Sequence, residues 1–304
     1  LSHRERGHHD LRNRKKTPLE TTQLGTTGVE VSRLGFGGAP AGLAQYLDDY
    51  EPSRDADREG VVAAMQRSVE LGVTYFDTAP GYGGGAGESI YGEALEDSRS
   101  DVFVATKVSG DVENVRGSVE RSLKLLRTDH VDLVQIHGNS YTENQANEIL
   151  APGGILEQLE DLKTEGLTRH VGFTSEDNNA AVFRFIASGR FDVMQISYNL
   201  LHQHPAEWTR PFGSLFEARD AGVGTVTMRT LTSGIFQKWV STVRPDDEHD
   251  YTPSLLQFVL SNPLVNVALV GMRTVAEVEQ NVKTANDLSG RVDHEELHRK
   301  YPES

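Results

Sequence analysis

Four residues of four chemical types stand out in the first half of the chain: Asp77, Tyr82, Lys107 and His137. Asp77, Lys107 and His137 are spaced thirty residues apart, and Tyr82 follows Asp77 by five. The three spaced residues lie at the ends of short apolar runs, VTYFDT (73–78), DVFVATK (101–107) and HVDLVQIH (130–137). A Lys ammonium at the end of an apolar strand needs an anionic partner, and Asp77 is available one run away. A Lys ammonium beside a phenol favours phenolate and draws a Tyr pKa down from ~10. Such a Tyr can hand a proton to a carbonyl oxygen or take it back, and a neighbouring imidazole can orient and polarise the same oxygen. The chemistry these four define is carbonyl reduction, given a source of hydride. Singly each has a plainer role: Asp77 a loop cap, Tyr82 a loop aromatic, Lys107 a surface lysine, His137 a core histidine. The signal is their conjunction at successive strand ends.

That conjunction requires a scaffold that brings strand ends together. Besides the three runs above, apolar segments occur at 33–38, 168–174, 191–197, 223–229 and 266–271. Helix-like stretches with apolar residues three and four apart separate them, as in DREGVVAAMQRSVELG, ENVRGSVERSLKLLR, GGILEQLEDLKTEG and TVAEVEQNVKTA. Gly72, Gly166 and Gly222 fall where a helix C-cap would precede the next strand. Before the first of these strands, LETTQL-GTTG-VEVSRL predicts a small β-hairpin. Eight strands each tied to a helix predict an α/β fold, the (β/α)8 TIM barrel with an N-terminal β-hairpin, whose strand ends converge on one reactive mouth. No linker or composition shift divides residues 19–304, which are expected to form a single domain.

Composition narrows the function classes. The absence of Cys excludes disulfides, thiolate nucleophiles and sulfur-ligated metals, and no metal site is expected. The net charge is −15, distributed as +4 over residues 1–18 and −19 over the rest. An acidic body argues against nucleic-acid binding, and the basic tail 1–18 is expected to be flexible. No stretch approaches the ~20 consecutive apolar residues of a membrane span, and no apolar h-region marks the first twenty residues. A cytoplasmic protein acting on small molecules is therefore expected; its oligomeric state is not legible. Gly81, Gly83 and Ala86 satisfy the dinucleotide pattern G-x-G-x-x-G/A, a weak signal. No acidic residue ends the next strand, as that fold would require, so the loop is expected to carry Tyr82 rather than a pyrophosphate.

With these residues in view, the sequence resembles the aldo-keto reductase superfamily from about Leu19 to Leu288. The resemblance rests on LGTTGVEVSRLGFGGAPAG, GVTYFDTAPGYG…GESIYGEAL, VFVATKV, VDLVQIHG, RHVGFTS, VMQISYN and VGMRTVAEVEQN. It implies a (β/α)8 barrel that binds a nicotinamide cofactor without a Rossmann domain. It also implies that Asp77, Tyr82, Lys107 and His137 form a catalytic tetrad with Tyr82 as general acid/base. By the same resemblance Gln195 holds the carboxamide, and Thr174 and Ser175 are cofactor-binding positions where the family often has Ser-Asn, Ser175 being the departure. Leu231, Ser233 and Gly234 belong to the pyrophosphate segment, with Arg229 as a phosphate partner. Met228 replaces a Tyr that stacks on nicotinamide in many members. Gly271, Arg273, Thr274, Glu277 and Asn281 surround the adenosine end. Arg273 and Thr274 suit a 2′-phosphate and favour NADPH, whereas Glu277, where Gln or Arg is commoner, would repel it and leaves NADH open.

Three functions stay open on the sequence: a carbonyl or alcohol oxidoreductase, a cofactor-binding regulatory subunit of the same superfamily, and a class I aldolase using Lys107. An acidic body with no evident hydrophobic patch favours the enzyme. Substrate choice is expected to lie in four long mouth loops, 39–55, 138–150, 198–212 and 232–251. They carry Tyr46, Tyr50, Tyr141, Trp208 and Phe212 among Asn139, Asn199, His202 and His204, a mixture suited to a sugar-like carbonyl compound and explained equally well by packing under the loops.

Overall fold

The computed structural model describes residues 19–46 and 49–300; the basic segment 1–18 lies outside the described residues. The chain opens with an antiparallel hairpin, β1 (Thr21–Gln23) and β2 (Glu30–Ser32). Eight parallel strands then close into a barrel: β3 (Leu34–Gly37), β4 (Tyr75–Asp77), β5 (Phe103–Ser109), β6 (Val131–His137), β7 (Thr168–Ser175), β8 (Val193–Ser197), β9 (Gly224–Met228) and β10 (Val267–Gly271). Each bonds its sequence neighbour, and β10 bonds β3. Helices α1 (Ala39–Gly42) and α2 (Asp55–Glu70) follow β3, α3 (Ala86–Ala94) follows β4, and α4 (Val115–Leu125) follows β5. Next come α5 (Glu143–Leu150) and α6 (Ile155–Thr164) after β6, α7 (Ala180–Ala187) after β7, and α8 (Ser214–Asp220) after β8. The circuit ends with α9 (Ile235–Val243) and α10 (Thr252–Leu260) after β9, then α11 (Val275–Asn286) and α12 (His294–Lys300) after β10. The fold is the (β/α)8 barrel with an N-terminal hairpin that the sequence predicts. Gly72, Gly166 and Gly222 have φ of 93°, 85° and 75°, as helix-ending glycines should.

Strand parity sorts the side chains into two cores. Leu34, Phe36, Phe76, Val104, Val134, Ile136, Phe173 and Ile196 point outward and pack beneath the helices. Tyr75, Phe103, Ala105, Leu133, Val193, Val226, Val267 and Leu269 point inward and fill the barrel, where Tyr75 stacks on Phe103 at 5.1 Å. Leu24 and Val31 of the hairpin join this inner cluster. Thr26 fastens the turn to the carbonyl of Gly222 through its backbone N–H at 2.8 Å and its hydroxyl at 2.9 Å. The hairpin is thus a plug at the amino-terminal end of the barrel. One step up the same inward rows, apolar residues give way to Asp77, Lys107, Gln135, Thr174 and Gln195, with Met228 still apolar beside them.

Several predicted boundaries move. β5 runs two residues beyond Lys107, so that residue lies inside its strand rather than at its tip. Three stretches expected to be loops contain helices, the short α1 opening 39–55 among them. Thr142 and Gln145 form a reciprocal capping box that starts α5 inside 138–150. α9 occupies half of 232–251 and buries none of its residues. Its Ile235, Trp239 and Val243, four apart, are 37%, 58% and 78% exposed. The expectation of no hydrophobic patch is corrected here: those residues form a stripe only once the segment is helical. Among the described residues no helix is long and apolar enough to cross a membrane.

Candidate active site

The carboxyl ends of β4, β5 and β6 bring the spaced residues together. Lys107 Nζ donates to Asp77 Oδ1 at 2.6 Å and to the Thr78 carbonyl at 2.7 Å. Both side chains are almost fully buried, at 1% and 3% exposure. Gln135 Nε2 donates to the other Asp77 oxygen, Oδ2, at 3.1 Å and to Gln195 Oε1 at 3.1 Å. A buried carboxylate that accepts from an ammonium on one oxygen and an amide on the other is well satisfied as an ion. Gln135 was missed from the sequence, although parity marks it: it sits two residues before His137 on the inward row of β6.

Tyr82 is set by the glycine-rich turn after β4. Gly83, Gly84 and Gly85 have φ of 68°, 63° and 102°, values that favour glycine. A Cβ on Gly83 would collide with the Gly42 carbonyl of α1, so this glycine nests against that helix with no room for a side chain. Tyr82 N–H donates to Ala79 O and Gly87 N–H to Tyr82 O, both at 3.1 Å. The Tyr82 ring comes to 5.0 Å from Lys107 Nζ, measured to its centroid. The His137 imidazole meets the same ring edge-on at 5.9 Å and 88°.

The electrostatics follow from burial and from the Lys107–Asp77 charges. Burial alone would lower Lys107, but the Asp77 charge overrides it, and Lys107 is held protonated. Burial raises Asp77, with Lys107 opposing; the geometry decides for the ionised pair. Burial pushes the Tyr82 phenol above its ordinary value, against the downward pull of Lys107 and with Asp77 adding to the rise. The expected lowering of Tyr82 is thus present as the Lys107 contribution and outweighed by desolvation. The phenol is a protonated donor at neutral pH. His137 is lowered to about 4, by burial first and then by the Lys107 charge, so its imidazole is neutral.

All four residues line one cleft of about 590 Å³ that continues from Asp77, Tyr82, Lys107 and His137 past Gln195 and Met228 to Gly271, Glu277 and Asn281. Thr174, Arg229, Leu231, Ser233 and Gly234 also line it. Ser175, Arg273 and Thr274 do not: they are absent from its wall. The Ser175 hydroxyl is turned to the Asp177 backbone, donating to its carbonyl at 2.9 Å and accepting from its N–H at 3.1 Å. The Arg273 guanidinium lies over the Tyr50 ring at 4.4 Å. Thr274 is the N-cap of α11, its hydroxyl accepting from Glu277 N–H at 3.2 Å. Arg229 pairs with Glu176, a wall residue the sequence did not single out. Of the expected substrate-loop residues, Tyr46 and Asn139 line the cleft. Tyr141 donates to the Ile136 and Thr174 carbonyls, Tyr50 to Ala41 O, and Trp208 packs on Phe216 and His294. These three serve packing. Among the described residues no group of three or more His, Asp or Glu could hold a metal ion.

A barrel whose mouth holds a buried Lys–Asp pair under a tyrosine and an imidazole defines a class, and the comparisons agree with it. The model of the aldo/keto reductase family matches residues 33–255, and the chain belongs to that family. The L-galactose dehydrogenase of Arabidopsis thaliana is 30% identical over 306 residues, covering 90% of this chain and 90% of that protein. Among solved structures, the holo form of an aldo-keto reductase from Bacillus halodurans superposes with a TM-score of 0.72 at 24% identity, covering 93% of this chain and 96% of that one. An aldo/keto reductase from Klebsiella pneumoniae in complex with NADP and acetate gives 0.70 at 23%, with the same coverage. At these identities the structural likeness speaks for the fold alone.

Proposed function

We propose that the protein interconverts a carbonyl compound and its alcohol with a nicotinamide dinucleotide, and that Tyr82 carries the proton. The observation that carries this reading is the geometry around Tyr82: the Lys107 ammonium 5.0 Å from its ring centroid and the His137 imidazole edge-on against it. When bound, the nicotinamide supplies or accepts the hydride. The side chains do the rest. Tyr82 donates its phenolic proton to the oxygen as negative charge develops there, and Lys107 steadies the phenolate left behind. Neutral His137 offers an N–H to the same oxygen and fixes its position. Asp77 keeps Lys107 charged and in place, and Gln135 keeps Asp77 from turning.

The cleft suits a dinucleotide. Its volume falls in the usual range for ligand sites, roughly 300–1,000 Å³. Gln195 and Met228 stand beside the reacting end, and Met228 Sδ lies 3.9 Å from Gln195 Nε2, a polarizable wall in place of an aromatic one. Thr232, Ser233 and Gly234 all have positive φ, 60°, 51° and 76°. They lead into the N-terminus of α9, where the Thr232 hydroxyl accepts from Phe236 N–H at 3.1 Å, and Ser233 and Gly234 on the cleft wall offer a hydroxyl and a close-lying backbone to a pyrophosphate. Asn281 Oδ1 is buried without a partner on the far wall, an acceptor available to a base or ribose. Thr174 bonds the Gly138 backbone in both directions, accepting at 3.0 Å and donating at 2.8 Å, and so shapes the wall.

An aldolase through Lys107 is disfavoured, because a Schiff-base lysine must be a free amine and this one is held as an ammonium. Sugar-like carbonyls lead the substrate panel, since the Arabidopsis relative bears the name L-galactose dehydrogenase and Tyr46 and Asn139 face the cleft. The test is Tyr82→Phe, assayed by nucleotide absorbance on a panel of aldoses, aldehydes and ketones. Turnover is expected to fall about 10²–10⁴-fold with cofactor affinity unchanged. Wild-type turnover in the variant would remove Tyr82 as the acid.

A further inference from the structure

At the adenosine end of the cleft, the start of α11 carries a feature the catalytic reading does not use. Glu277 Oε2 accepts the backbone N–H of Arg273 at 2.7 Å and that of Thr274 at 3.0 Å. These donors stand just ahead of α11, beside the helix start where an anion from outside would bind. The carboxylate of Glu277 already fills that place, locked in a capping box with Thr274. Asp250, another wall residue, lies on the same side and accepts from Gln280 Nε2 at 2.7 Å. Among the described residues lining this end, Gln237, Asp250, Thr252, Gly271, Glu277, Gln280 and Asn281, two are carboxylates and none is Lys or Arg. The guanidinium of Arg273 is directed over Tyr50 instead.

We propose that Glu277 makes this chain select NAD(H) over NADP(H), an inference that rests on the dinucleotide reading above. A 2′-phosphate at this end would meet a fixed carboxylate and find the N–H groups of Arg273, Thr274 and Glu277 taken. Like charges so juxtaposed oppose binding. A free 2′-hydroxyl carries a proton and can donate to the same carboxylate, the pairing by which an acidic side chain recognises NAD elsewhere. The selectivity comes as much from refusing the phosphate as from accepting the hydroxyl.

The experiment titrates the full chain with NADH and with NADPH, following energy transfer from tryptophan to the reduced nicotinamide. The expected result is NADH bound on the order of tenfold more tightly or better, a difference of about 1.4 kcal/mol. Glu277→Gln keeps the capping geometry and removes the charge, and is expected to tighten NADPH several-fold while narrowing the ratio. Asp250→Asn is expected to move the ratio the same way. Equal or tighter binding of NADPH by the wild type overturns the selectivity and leaves the dinucleotide reading standing. An unchanged ratio in Glu277→Gln removes Glu277 as its cause. If neither nucleotide binds, both the selectivity and the reading beneath it fail.

Discussion

His137 enters the folded barrel uncharged, and that has a cost in acid. Its pKa falls from 6.5 to about 4, through burial first and then the Lys107 charge. Between these values the unfolded chain binds a proton that the folded chain refuses. The stability linked to His137 is therefore complete above pH 6.5 and is lost as pH falls towards 4. His137→Gln should flatten this part of the profile, so that melting temperature drops less between pH 6.5 and 4 than in the wild type. Parallel profiles would mean that the imidazole is not held neutral. At this scale much of the site was legible, because Asp77, Lys107 and His137 are charged or titratable residues at the ends of apolar runs, where little else explains them. Ser175 and Arg273 were not, because each points away from the cleft. A Ser hydroxyl beside a two-residue turn prefers its own backbone, and a guanidinium finds an aromatic face. Sequence spacing shows neither preference.

At the scale of elements a single turn positions the proton donor. The glycine turn after β4 holds Tyr82 against α1, and Gly83→Ala tests that contact. The left-handed backbone costs a non-glycine residue about 1–3 kcal/mol, and the added Cβ would collide with the Gly42 carbonyl. Turnover is expected to fall while nucleotide affinity holds, because the displaced element carries the proton donor and not the nucleotide wall. A variant with full turnover would show that the turn merely connects. The strands were readable from alternation and the helices from a three-and-four rhythm, with ends displaced by a few residues. α5 and α9 were hidden because each begins inside a polar stretch at the barrel mouth. The Thr142–Gln145 spacing was nevertheless the mark of a helix start.

Over the whole molecule, parity gives one closed sheet two uses: the inward rows are apolar near the hairpin and polar at the mouth. The plug at the apolar end is under independent test in Leu24→Ala. Loss of a buried leucine typically costs about 2–5 kcal/mol, so the melting temperature should drop clearly while turnover at low temperature persists. A variant as stable as the wild type would make the hairpin an ornament. The plug also imposes an order in time. Thr26 is bonded to Gly222 across 196 residues, and Arg33 Nη2 to the Val265 carbonyl across 232. During synthesis the hairpin emerges ahead of nearly all the walls it will seal, and β3 waits for β10 before the sheet can close. Contacts so distant along the chain slow folding. Until the last quarter of the barrel is made, the growing chain holds an open sheet edge and an undocked apolar plug, and that interval is when it is most exposed to wrong partners.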